Sequence, residues 1–333
     1  MSQKEINVTD IANALQISPT TVSRAISGKG RVSGKTRQKV INYINENGLE
    51  PNTRPERTIK KSMNIGVVLP ADGDYAELPF FSKMLMSLYD YFSVRGYSII
   101  LIRASMGNTD ALRDAVHRHK VDGVILTRLL NDGTDVALLK AQNIPFVVTG
   151  TCDDPDVYQV DADQRGACRE LTSILYRMGM RKTVLMCANL GQTVIKARVN
   201  GYLDAVREND MPIEQKNIIE NAADENVLEK ALTDILKMQA ECIICSDDGI
   251  CIAMLNYFRK AGVRVPQDIR VATFYNSPIL EEHNSSITSI DFDIREWAKI
   301  AGTMLMRILE GEDCERIQRV GYKIQLKEST KFE

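Results

Sequence analysis

The run Ser18-Pro19-Thr20-Thr21-Val22-Ser23-Arg24 leaves few options for the N-terminal part of this 333-residue chain. Ser18 is a helix-capping residue, and Pro19 suits the first helical position, where no backbone donor is missed. Val22 and Ile26 stand four apart and turn inward, while Thr20, Thr21 and Arg24 point elsewhere. Upstream, Thr9 is placed to cap a first helix with Ile11, Ala12 and Leu15 on one side, broken at the Ile17-Ser18 step. After the turn Gly28-Lys29-Gly30, Ser33 caps a third helix carrying Val40, Ile41 and Ile44. Three short helices, the first two joined by a tight turn, predict an all-α helix-turn-helix module over 1–52.

Charge separates this head from the rest. Residues 1–62 hold 11 of the 42 Lys/Arg but only 5 of the 44 Asp/Glu, so a basic head precedes an acidic body. That asymmetry fits a DNA-binding domain joined to something that is not one. No apolar run approaches the roughly 18 residues of a membrane span, and Met1-Ser2-Gln3-Lys4-Glu5 lacks the apolar core of a secretory signal. The seven cysteines are odd in number and scattered, which predicts free thiols in a reducing cytoplasm.

The polar, basic segment Thr53 to Ser62 reads as a linker. From Asn64 strands and helices alternate. Ile65 to Pro70, Tyr97 to Ile102, Val121 to Leu126 and Ile144 to Val148 are predicted strands, separated by helical stretches such as Thr109 to His119. The pattern restarts with a helix from Gly166 to Met178, then strands at Thr183 to Met186, Asn217 to Glu220, Cys242 to Cys245 and Ile269 to Phe274. Such alternation predicts two α/β lobes, each a parallel sheet covered on both faces. Motifs for enzyme chemistry are missing. Cys242 and Cys245 have zinc or redox spacing but lie in an apolar strand with no second pair nearby. His117 and His119 diverge on a helix, and Gly28-Lys29-Gly30 lacks the last glycine of a dinucleotide loop. No catalytic, metal or cofactor site is expected.

The quartet Thr21-Val22-Ser23-Arg24, followed by Val32-Ser33 and Pro51-Asn52, resembles the headpiece of the lac/galactose repressor (LacI/GalR) family at the same spacings. The likeness continues through both lobes. It implies a periplasmic-binding-protein-like core of two doubly wound parallel-sheet lobes, with crossings near Asp161, Asp291 and Val320. The implied divisions are a head at 1–52, a hinge at 53–62, a first lobe of 63–161 plus 292–319, and a second of 162–291 plus 320–333. The implied function is a transcription regulator, a repressor, that binds a palindromic operator as a homodimer and responds to a small sugar-like effector between the lobes. Two-fold pairing follows because one helix-turn-helix reads only a half-site. The chain ends at Glu333 with no leucine heptad, so no tetramer-forming tail is expected.

Residue roles follow from that resemblance. Arg24 is matched to a bidentate guanine contact in the major groove. Thr20 reaches base edges or a thymine methyl, and Pro19 offers apolar contact only. Thr21 and Ser23 are phosphate contacts, which position without specifying. Arg31 is a base or phosphate contact, and Thr9, Ser33, Asn52, Arg57 and Thr58 complete the candidate DNA-binding set. For the effector, Arg198 in Ala197-Arg198-Val199-Asn200-Gly201-Tyr202 and Asp247 in Cys245-Ser246-Asp247-Asp248 match cleft positions. Together they offer a fork of donors and a fork of acceptors. Phe80 and Phe81 match a cleft-mouth motif, though lobe core is the competing role for at least one. Gln192 stands where some relatives carry a charged contact. Tyr275 stands where an acidic contact is usual, and Asn276 fits the pattern. Competing readings are a ligand-binding sensor with a vestigial head, a nucleobase-responsive regulator of the same family, and an enzyme acting on a sugar in the cleft.

The hinge departs from the family pattern. Thr58 occupies the place of a leucine that wedges into the minor groove at the operator centre, and Pro55 that of a small residue. Thr58 gains less from insertion between unstacked bases, while Arg54, Arg57, Lys60 and Lys61 place four charges beside the DNA. The linker is therefore expected to bind through phosphates, with weak bending. Changing Arg57 and Lys60 together to Ala should flatten the slope of log affinity against log salt by roughly two to four units in a dimer. Thr58→Leu should increase bending, read by gel mobility of circularly permuted operators, and sharpen preference for a central pyrimidine–purine step. Sharp central bending by the unaltered protein contradicts this account.

Overall fold

The computed structural model describes residues 8–27, 32–46, 61–71, 79–212, 215–284 and 286–331. The chain divides into two compact units, Met1–Lys61 and Ser62–Glu333.

The first unit contains α1 (Val8–Leu15), α2 (Pro19–Ser27) and α3 (Gly34–Glu46). Ile11, Ala12, Val22, Ala25, Val40 and Ile44 form its buried core. Two expectations shift. Helix α1 already includes Val8, so Thr9 lies in its first turn instead of capping it. Ile41 is 37% exposed, because one helical step from Val40 turns a side chain about 100° away from the core face.

The second unit holds two six-stranded sheets. In the first lobe β1 (Asn64–Pro70) leads through α4 (Pro79–Ser93) to β2 (Ser98–Ala104), and α5 (Asp110–His117) to β3 (Gly123–Leu126). Helix α6 (Thr134–Ala141), β4 (Phe146–Thr149) and β5 (Gln159–Asp161) complete this run. The chain then builds the second lobe from α7 (Gln164–Arg177), β6 (Thr183–Met186), α8 (Thr193–Glu208), β7 (Ile218–Ile219), α9 (Glu225–Lys237) and β8 (Cys242–Cys245). Helix α10 (Asp248–Ala261), β9 (Arg270–Thr273), α11 (Pro278–His283) and β10 (Thr288–Phe292) follow. Helix α12 (Ile294–Leu309) returns to pack on α4, β11 (Ile317–Arg319) joins the first sheet beside β5, and β12 (Tyr322–Gln325) joins the second beside β10.

The first sheet runs β11-β5-β4-β3-β1-β2 and the second β12-β10-β9-β8-β6-β7. All pairings are parallel except β10 with β12. Central strands are apolar runs because helices cover both faces: β1 is buried from Ile65 to Pro70, and β6 and β8 are buried throughout. Cys242 and Cys245 are part of that core, and burial pushes the Cys242 thiol up to about 12. In each sheet the order reverses between the first strand and the third, which opens a crevice at the strands' carboxyl ends. Among the described residues no helix is long and apolar enough to cross a membrane.

Helices α7 and α8 pack tightly at Gly201, where an added Cβ would lie 2.3 Å from the Arg165 carbonyl oxygen and 2.9 Å from the Cys168 Cβ. Backbone cannot yield as a flexible side chain does. Gly201→Ala is therefore expected to destabilise the core by about 1–3 kcal/mol. Urea unfolding should show a lower midpoint at unchanged slope; an unaltered midpoint would mean the helices separate freely.

Candidate functional site

In the head, a tight turn delivers α2. Gln16 adopts left-handed backbone (φ 53°), and the Ile17 amide donates to the Ala12 carbonyl at 3.0 Å. Ser18 then caps α2: its Oγ accepts from the Thr21 amide at 3.1 Å and shares a 2.8 Å hydrogen bond with the Thr21 hydroxyl. With Val22 and Ala25 buried, Thr20, Ser23 and Arg24 form an exposed face at i, i+3 and i+4, and Pro19 is exposed at its start. Thr21 is half-buried beside the cap. Ser33 caps α3 in the same way, accepting from the Thr36 amide at 3.1 Å. Thr9 is exposed on α1. Arg31, Asn52, Arg57 and Thr58 lie outside the described residues.

Between the lobes lies a cavity of about 900 Å³, lined from both sides. Six of the seven residues singled out for an effector line it: Phe80, Phe81, Gln192, Arg198, Asp247 and Tyr275. Asn276 does not. Its side-chain amide donates to Glu281 Oε1 at 2.8 Å instead. Phe81 is 7% exposed and belongs also to the lobe core, whereas Phe80 is half-buried.

Arg198 projects from α8 and is only 8% exposed. Its Nε donates to Gln164 Oε1 at 2.9 Å, and one terminal nitrogen donates to the Ser246 carbonyl at 2.6 Å. The guanidinium lies 5.8 Å from the Tyr275 ring centre, within cation–π range. No ion pair joins Arg198 to a carboxylate among the described residues. Asp247 follows β8 and caps α10: Oδ1 accepts from the Ile250 amide at 3.0 Å and Oδ2 from the Ser246 hydroxyl at 2.7 Å. Its neighbour Asp248 is buried. Burial raises that carboxyl above its ordinary range, against the lowering effect of a hydrogen bond with Ser277, and the Asp247 charge adds to the rise. Burial, reinforced by the Asp248 charge, likewise raises the Tyr275 phenol.

One wall is aromatic. Phe80 meets Trp297 edge-on at 5.6 Å and Tyr275 at 6.3 Å between ring centres. Trp297 is held by its indole N–H, which donates to the Val160 carbonyl at 2.9 Å. Sequence reasoning missed Trp297, Gln164, Asp248 and Asn131, all of which line the cavity. Only Trp297, the single tryptophan, carried any signal, through its rarity. Among the described residues no group of His, Cys, Asp and Glu is placed to hold a metal ion.

Residues 7–52 match the bacterial regulatory proteins of the lacI family, and residues 62–291 match the periplasmic binding proteins and sugar binding domain of the LacI family. The HTH-type transcriptional regulator MalR of Staphylococcus xylosus is 26% identical over 316 residues, 92% of this chain and 93% of its own. Catabolite control protein A of Priestia megaterium is 23% identical, covering 98% of this chain and 99% of its own. Among solved structures, the transcriptional regulator CelR in complex with cellobiose superposes with TM-score 0.72 at 21% identity, over 98% of this chain and 100% of its own. The lac repressor dimer bound to operator does so at 0.70 and 20%, over 98% and 99%. The structural likenesses establish the fold, and the matched sequence families establish kinship with regulators rather than enzymes. The chain belongs to the LacI family of bacterial DNA-binding transcriptional regulators.

Proposed function

We propose that this regulator is a homodimeric repressor of a palindromic operator, and that a sugar or sugar derivative held between its lobes sets operator affinity. The observation that carries the effector reading is the meeting of Arg198, Asp247 and an aromatic wall on one cavity of about 900 Å³. A sugar presents hydroxyls that pair with a guanidinium fork and a carboxylate, and a ring face that lies against Phe80, Tyr275 or Trp297. The cellobiose-bound neighbour, and a LacI-family regulator from Enterococcus faecium with bound ribose, support the same ligand class. Pairing of two copies is supported by apolar side chains exposed on the first lobe: Met86 and Tyr89 on α4 and Leu101 on the edge strand β2. A thermal-shift screen of the full chain against sugars, sugar phosphates, uronates and nucleobases tests the ligand class, since binding to the folded state raises Tm. A shift with nucleobases alone replaces the sugar reading.

On α2, the exposed Thr20, Ser23 and Arg24 are the proposed groove-facing set, with Pro19 giving apolar contact and Thr21 anchoring the cap. Arg24→Ala should cost about 1–3 kcal/mol of operator binding and relax one base position in each half-site. Selection of bound sequences before and after the change checks it, and unchanged preference would make Arg24 a bystander.

For the cavity, Arg198→Ala should weaken binding of the ligand found in the screen roughly 10- to 100-fold, as loss of a charge-assisted hydrogen bond implies. Asp247→Asn keeps an oxygen for capping α10 while removing the carboxylate charge, so it should lower ligand affinity at nearly unchanged Tm. Calorimetry on both variants is the check; full affinity in both moves the site elsewhere.

A further inference from the structure

A side-chain hydrogen bond crosses between the lobes beside the cavity. Asn131, in the loop after β3, donates from Nδ2 to the carbonyl of Gly191, in the loop before α8, at 2.6 Å. Both partners are fixed by their own lobes. On the Asn131 side, the Leu130 amide donates to the buried Asp135 carboxylate at 3.0 Å, and Asp132 accepts from the Thr134 hydroxyl at 2.8 Å. On the Gly191 side, its amide donates to Asn189 Oδ1 at 2.6 Å. The second bridge is the edge contact of Phe80 with Tyr275. Asn131, Gly191, Phe80 and Tyr275 all line the cavity, so the two bridges bound it.

We propose that Asn131 is a positioning residue that clasps the first lobe onto the second over the cavity, so that making or breaking its bond to Gly191 selects the lobe arrangement and with it operator affinity. This rests on the DNA-binding and interlobe-effector reading above. Strength suits the task. The bond is solvent-exposed, and one such bond shifts an equilibrium only roughly two- to tenfold. A ligand touching both lobes can therefore override it, as a switch requires. Position suits it too. Gly191 immediately precedes Gln192 and α8, the helix that carries Arg198, so the clasp ties the first lobe to the segment leading to the arginine. A merely structural role predicts no change in operator affinity when the contact is locked.

The test is the full-length double variant Asn131→Cys/Gly191→Cys. A Cβ at Gly191 would lie 3.7 Å from Asn131 Nδ2, and its tightest neighbour is the movable Asn189 side chain at 2.9 Å. Under mild oxidant the 131–191 bridge should form and appear in peptide maps. A palindromic duplex selected by the reduced protein from random DNA should then bind the oxidised and reduced forms with affinities at least roughly tenfold apart, dithiothreitol reversing the difference. Asn131→Ala should move affinity away from the oxidised value. Failure of the bridge to form overturns the clasp, and equal affinities in the two forms overturn its regulatory role. Failure of the DNA-binding reading looks different: no duplex is retained in either form, whether or not the bridge forms.

Discussion

Burying the Arg198 guanidinium organises the second lobe around the cavity. Removing such a charge from water costs several kcal/mol unless hydrogen bonds replace the lost hydration. Gln164 at the start of α7 and the Ser246 carbonyl after β8 supply them. Three segments are thereby held together: the one entering from the first lobe, the helix after β6, and the loop after β8. The guanidinium is thereby held in one orientation at the cavity wall, the kind of preorganisation that lowers the cost of binding.

The cavity exists because both sheets reverse their strand order between first and third strands, leaving crevices that face one another. Three passages of the chain, after β5, β10 and β11, join the lobes. Short connections of this kind permit rigid bodies to hinge. Contacts across the cleft include the Asn131–Gly191 bond and the Phe80–Tyr275 edge, each individually weak. A small difference in contact energy between two arrangements is what a ligand can reverse. The aromatic wall is more firmly built, since Trp297 is anchored by its indole hydrogen bond to Val160.

The head follows another logic. Its core is six small or branched apolar side chains, and the starts of α2 and α3 are set by serine caps. This leaves the outer face of α2 free of packing duties, so Thr20, Ser23 and Arg24 can be chosen for what they contact. Substitution of Arg24 therefore tests recognition without disturbing the fold, whereas Gly201 belongs to helix packing and Arg198 to packing and cavity at once.

What was legible in the sequence was local. The caps at Ser18 and Ser33 involve residues three apart, and the apolar runs of β6 and β8 record burial on both faces, so each leaves a pattern within a few positions. Ile41 misled because apolar character was counted without the helical angle, and Thr9 because helix starts fray by a residue or two. The resemblance named six residues that line one cavity, and also Asn276, whose amide donates to Glu281 five residues on. Trp297, Gln164 and Asn131 left no such trace. Asn131 meets Gly191 across 60 residues and Trp297 meets Phe80 across more than two hundred. The sequence by itself determined the helix-turn-helix, the alternation of strand and helix, and the core of each sheet, because these are set by periodicity and capping. Tertiary structure alone decided which distant side chains share the cavity and that Asn131 meets Gly191 beside it, because contacts between lobes depend on where the chain crosses, not on what stands next to it.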